Sequence, residues 1–303
     1  MTKAHSSSSK PWTRFFVKDG RLRPIWRLAL FLPLVTLVYI HRQLLALVVV
    51  VVFLRHLDKR RISSLGFSLH QGWLMSIGVG LLLGASLMGT IFFIEFIFGW
   101  IDVKGFAWES RTDFTTAFTG AILHMLFVAV SEETIVRGYI LQNLEECFGI
   151  RTAVIVSSVL FGAFHLINPT ATEWANYVIP FTITLAGVMF AVAYLAHRSL
   201  WLPIALHFSW NICLYDVFGL AGAPADSATF LITDVKGPAF WVGLPHTALG
   251  PEVGILSVIA TLLGIVMLWL LWQYKDSGKT AQQSAGADKA AQLDNVRPET
   301  ERG

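Results

Sequence analysis

Charge is scarce in this chain. Only 14% of its 303 residues are Asp, Glu, Lys or Arg, against roughly a quarter in an ordinary soluble domain. Hydrophobic residues make up 54% and the mean hydropathy is +0.60, so a soluble class is excluded. Cysteine is nearly absent. Cys147 and Cys213 cannot build a disulfide framework or a thiolate metal site, and both read as structural, one near a helix end and one within an apolar run. There is no H-E-x-x-H, no G-x-S-x-G and no strand-preceded, Gly-rich phosphate loop, which leaves zincin, serine-hydrolase and nucleotide-dependent readings without a motif. No basic stripe interleaved with aromatics is present, and nucleic acid is not an expected partner. No small-residue cleavage site follows a short apolar core near the N-terminus, so no removable signal peptide is expected.

What the chain has instead is long apolar runs, several reaching the roughly 20 residues that cross a bilayer. The expected fold is all-α, a polytopic transmembrane helix bundle with about seven to eight membrane segments. Residues 1–24 form a basic N-terminal segment with a Ser6–Ser9 run, and residues 25–113 hold the N-terminal membrane helices. Residues 114–217 follow as a helical core, 218–273 as a loop and last membrane helix, and 274–303 as a polar, disordered tail. Within these limits, spans are expected at Trp73–Trp100, Arg151–Leu166, Trp174–Ala196, Trp201–Leu220 and Val253–Trp272, with one long or bent helix over 114–147. Residues 101–113 and 221–251 read as loops, and the 168–173 segment as a third. No internal repeat is evident.

Lys and Arg fix the expected orientation. Lys3, Lys10, Arg14, Lys18, Arg21, Arg23 and Arg27 precede the first span, and Arg55, Lys59, Arg60 and Arg61 fill the next loop. Both belong in the cytoplasm, with both termini, while the Lys/Arg-poor loops at 101–113 and 221–251 belong outside. That arrangement requires residues 25–54 to cross twice or to dip in and return, a thin or re-entrant hairpin. The chain is therefore expected to be a multi-pass protein of a prokaryotic inner (plasma) membrane.

Glu132 and Glu133 stand side by side in the apolar stretch 121–137. A carboxylate near hydrocarbon costs several kcal/mol and persists only with a partner or a purpose. Arg137, four residues after Glu133, shares its helical face in the favoured order of acid before base. That pair reads as a neutralising salt bridge. Glu132 points about 100° away and lacks the local arginine, which makes it the better general base. His165 closes Phe161-Gly-Ala-Phe-His165, and His207 and Asn211 lie one turn apart in His207-Phe-Ser-Trp-Asn211. A lone histidine on an apolar helix is usually a satisfied packing residue. Two of them, with an i,i+4 asparagine and the glutamates, point to one shared site. His124, eight residues before Glu132, is a minor candidate, and His5, His41, His56, His70, His197 and His246 read as interfacial.

These motifs, E-E-x-x-x-R (Glu132, Glu133, Arg137), F-x-x-x-H (Phe161, His165) and H-x-x-x-N (His207, Asn211), occur in that order in consecutive apolar helices. Together they resemble the CPBP family, the type II CAAX prenyl endopeptidases and the Abi or bacteriocin-immunity proteases, over about residues 114–217. The resemblance implies an intramembrane endopeptidase. Glu132 and His165 would activate a water, His207 and Asn211 would stabilise the oxyanion, and Glu133 and Arg137 would support them. The substrate would be a membrane-associated peptide or protein, lipidated ones included, met in the lipid bilayer. The family is often labelled metalloprotease, and Glu132, His165 and His207 could supply three zinc ligands. A separate base would then be needed, so a glutamate mechanism with no cofactor is favoured over zinc. The same fold could also serve as a catalytically idle scaffold or immunity factor. A transporter reading fares worse, because inverted repeats are not seen.

Overall fold

The computed structural model describes residues 15–41, 43–69, 71–109, 112–167, 175–220, 229–244 and 250–273. His5, His70, His246, the Ser6–Ser9 run, the 168–173 loop and the 274–303 tail lie outside them, as does the side chain of His41. Eight helices of more than ten residues run through the described residues: α1 (Pro24–His41), α2 (Gln43–His56), α3 (Trp73–Ile97), α4 (Phe114–Phe148), α5 (Ile150–Phe164), α6 (Ala175–His197), α7 (Trp201–Asn211, continued to Val217) and α8 (Ile255–Gln273). Four of them, α3, α4, the Val178–His197 part of α6, and α8, are long and apolar enough to cross a membrane. The protein is an all-α membrane helix bundle.

The other four helices are too short to be counted as spans by length, and they set the depth of the interior. The hairpin α1–α2 is anchored at its open end, where buried Arg27 pairs with buried Asp58 and with Glu146 (2.9 Å), and Tyr139 donates to Asp58 Oδ2 at 2.7 Å. Near its tip, Tyr39 donates to Glu132. From Arg27 to Tyr39 is about 18 Å of helix and from Glu146 back to Glu132 about 21 Å, at 1.5 Å per residue. The hairpin thus dips to the level of the glutamates and returns.

The helices α4 and α5 are antiparallel neighbours joined at Gly149, whose φ of +78° suits a residue without Cβ. Glu132 lies about 24 Å before that turn along α4, and His165 about 22 Å after it along α5. Measured from helix starts alone, His207 would sit too shallow. However, α7 begins inside the bundle: Leu200 N–H donates to Gly66 O at 3.0 Å, and a Cβ on Gly138 of α4 would meet Leu200 Cδ1 at 3.3 Å. Gly138 is about 15 Å from the turn and His207 about 9 Å further on. All three side chains reach one level.

The longest helix contact pairs α3 with α7 and the next α5 with α6. In hydrocarbon, small residues allow such backbones to close together. A Cβ on Gly84 would stand 2.1 Å from Ser209 Oγ and 2.6 Å from Leu206 O, so α3 holds the segment that carries His207 and Asn211 directly against it. Cys147 and Cys213 are both free.

At the opposite end from Gly149, two stretches read as loops contain strands. β3 (Ile101–Phe106) pairs antiparallel with β4 (Leu231–Val235), with a register shift between Val103 and Gly105, while β1 (Val17–Lys18) and β2 (Arg21–Leu22) form a minimal pair before α1. The apolar–polar alternation of Ile101-Asp-Val-Lys is short, Leu231-Ile-Thr-Asp-Val does not alternate at all, and each strand's partner is far away in the chain. Asp102 faces Asp234 across β3–β4. Lys104 and Lys236 offset that like-charge pairing, and the Asp102 carboxyl is held below its usual range, chiefly by hydrogen bonds from these two lysines.

Candidate active site

Glu132, His165, His207 and Asn211 line one cavity of about 300 Å³, in from the middle of α4. Phe161, Ile183, Ala186, Phe190 and Trp210 form its apolar wall. His124, given little weight from sequence, lines it too. The two glutamates diverge as helix geometry requires, and each has its own partners.

Glu133 is fully buried. Its Oε1 accepts from Arg137 Nη1 at 2.9 Å and from His207 Nδ1 at 3.0 Å. The second contact was not read from sequence, where Arg137 alone accounts for Glu133. Arg137 is equally buried and reaches across to α6, donating through Nη2 to Gly187 O at 2.9 Å. Its guanidinium lies over Phe161 at 4.5 Å and Phe190 at 5.2 Å, a desolvated cation–π arrangement. Phe190 stacks on His207 at 4.7 Å. One charged pair therefore binds α4, α5, α6 and α7 around the site.

Glu132 is 8% exposed, and its open side faces the cavity. Tyr39 donates to Oε1 and receives in turn from Gln43 Nε2 at 3.1 Å. Glu132 Oε2 is 3.8 Å from His207 Nε2. That is too long for a hydrogen bond and short enough for one water to touch both. His165 Nδ1 lies 2.8 Å from Phe161 O. A carbonyl only accepts, so Nδ1 carries the proton and the neutral ring keeps its lone pair on Nε2.

The helices are irregular just past the glutamates and just past Asn211. Thr134–Leu141 follows Glu133 as a π-helical stretch, and Ile212–Val217 follows Asn211 in the same form. Such widened turns are rare and gather at functional sites.

The zinc alternative is not matched by this arrangement. Zinc needs three or four donors at about 2.0–2.2 Å, and among the described residues no three His, Cys, Asp or Glu side chains are grouped to hold a metal ion. Glu132 and His207 Nε2 face each other, but His165 does not join them as a third donor.

Two ionisable cavity residues lay beyond the sequence reading. Glu252 belongs to the short Gly250–Val253 turn before α8 and accepts from Trp210 Nε1 at 3.1 Å, and Tyr215 continues the wall from α7. An acid in a Gly/Pro-rich loop carries no signal that distinguishes it from a solvated one.

Residues 114–213 match a family model described as Type II CAAX prenyl endopeptidase Rce1-like. The match takes in all seven motif residues and supports the CPBP/CAAX-protease family, with Tyr39, Tyr215 and Glu252 outside the matched stretch. No curated protein and no solved structure matches the chain.

Proposed function

We propose that this CPBP-type membrane protein is an intramembrane endopeptidase that hydrolyses peptide bonds of membrane-associated substrates with a glutamate-activated water. The observation that carries the reading is the convergence of Glu132, His165, His207 and Asn211 on one partly apolar cavity. Peptide hydrolysis needs a base beside the attacking water and donors aimed at the developing oxyanion. Glu132 is the base. Tyr39 fixes one of its oxygens, which leaves the other for the water. His165 shares that water through Nε2.

Asn211 is the neutral donor for the oxyanion. His207 joins it as a donor only when protonated, because Nδ1 is committed to Glu133 and Nε2 of the neutral ring carries no hydrogen. Glu133 holds the ring through Nδ1 and is itself held by Arg137. Glu133 and Arg137 support the site and stay out of the chemistry.

We place the protein in a prokaryotic inner membrane with the Gly149 end toward the cytoplasm. Asp58, next to the basic Lys59, Arg60 and Arg61, packs against that end, and positive loops stay inside. Substrates are tethered peptides or proteins, lipidated ones included, that reach the cavity from the bilayer.

The test is purified protein in bilayers, wild type against Glu132→Gln, with a panel of membrane-tethered and lipidated peptides. Cleavage by the wild type alone supports the reading. A wild type that binds peptides without cleaving any of them assigns the fold to an idle scaffold or immunity factor.

A further inference from the structure

Glu252 reaches the catalytic cavity from a turn built to hold it there. Leu244 N–H donates to Gly250 O at 2.9 Å and Ser257 Oγ donates to Pro251 O at 2.7 Å. A Cβ on Gly254 would stand 2.4 Å from Trp241 O, so the chain on either side of the turn is pressed together with no room for a side chain. Gly243 turns at a φ of +81°, a conformation left to glycine. The carboxyl shares its cavity with Glu132, His165 and His207, and Trp210 Nε1–H pins one oxygen.

We propose that Glu252 is the general acid of this site, the group that gives a proton to the leaving amine. The inference rests on the endopeptidase reading. Burial raises the carboxyl above its ordinary range, and the Glu132 charge adds to that. His165, the Trp210 hydrogen bond and His207 act in the opposite direction without cancelling it. Glu252 and Glu132 thus share one cavity in unlike surroundings, one carboxyl pushed toward its protonated form and the other held by Tyr39, the pairing by which two carboxyls take two roles.

The step balances as follows. The water oxygen bonds to the carbonyl carbon while one of its protons passes to Glu132. The carbon–nitrogen bond breaks as the Glu252 O–H proton moves to nitrogen, releasing an amine and a carboxylic acid. The proton on Glu132 then returns to Glu252 through His165 Nε2 or a cavity water.

A structural role, merely accepting from Trp210, makes a different forecast. Glu252→Gln keeps the acceptor oxygen and the volume but has no acidic proton. The probes are the tethered peptide that wild type cleaves and its depsipeptide analogue, with an ester in place of the scissile amide. An alkoxide of an activated alcohol leaves without the proton an amine needs. Glu252→Gln is expected to lose about a hundredfold or more in amide kcat, the usual worth of a positioned acid, and to stay within a few-fold of wild type on the ester. Glu132→Gln loses both. Glu252→Asp, which keeps a carboxyl, recovers part of the amide rate and covers the case of a Gln variant that does not fold.

Equal losses on amide and ester, or no loss on either, overturn the general acid and leave the endopeptidase standing. A wild type that cleaves neither probe overturns both.

Discussion

His207 Nδ1 lies 3.0 Å from Glu133 Oε1, the same oxygen that Arg137 Nη1 reaches at 2.9 Å. One carboxylate oxygen thus holds both the residue expected to anchor the helix and a residue of the cavity wall. An acceptor-only carboxylate sets the ring's tautomer, so the Nε2 of His207 faces Glu132 and the cavity. The helix packing and the His207 ring orientation have a common origin.

The two glutamates separate on that basis. Glu132→Gln should abolish proteolysis with unfolding unchanged, since glutamine still accepts from Tyr39 and cannot take a proton. Glu133→Gln strands a buried arginine, at a cost of about 3–5 kcal/mol, and loosens His207. Denaturant unfolding in mild detergent beside peptide cleavage reads both effects. An inactive Glu133→Gln with wild-type stability would reverse the roles.

Tyr39→Phe removes the donor to Glu132 Oε1 without entering the cavity wall. A hydrogen bond to a charged group is worth about 1.5 kcal/mol or more, so kcat should fall about tenfold, with KM little changed. Steady-state kinetics on one cleaved peptide checks this. A raised KM with kcat intact would place Tyr39 in substrate binding.

How far the sequence could be read depended on whether a residue's signal was local. Glu132, His165, His207 and Asn211 stood out because a polar group in an apolar run demands a reason at its own position. About seven to eight apolar helices could be counted from the long runs themselves, and a short hairpin over residues 25–54 was expected from the charge of the 55–61 loop. Tyr39 is an unremarkable aromatic in an apolar run, and Glu252 an acid in a loop; only the folded chain brings them to Glu132. The short start of α7 was hidden because its depth is set by the contact of Leu200 with Gly66 and Gly138, three residues far apart in sequence. The strand pair Ile101–Phe106 with Leu231–Val235 was missed on the same ground.

Gly84 makes that long-range packing testable. A methyl group there meets Ser209 Oγ and the Leu206 carbonyl, whereas Gly78 on the same helix has nothing within 4 Å. Gly84→Ala should cost about 1–3 kcal/mol as overpacking and displace the segment that carries His207 and Asn211, lowering activity. Gly78→Ala should be neutral or slightly stabilising, by up to about 1 kcal/mol. Thermal unfolding of the two variants side by side decides, and equal behaviour would mean that α3 does not position α7.

Metal dependence is the remaining question of chemistry, and the donor geometry suggests the answer. Zinc held by Glu132, His165 and His207 would need all three within about 2.0–2.2 Å of one point, yet no such group of three exists among the described residues. Activity is therefore expected to survive exhaustive dialysis against a strong chelator. His207→Gln should keep part of the rate, because a glutamine amide can donate beside Asn211. Under a zinc mechanism both manipulations would remove nearly all activity, since losing one ligand of three leaves a poorly held ion. Stoichiometric zinc in the active protein, with activity lost on chelation and restored by adding zinc back, would establish a metalloprotease and refute the glutamate mechanism.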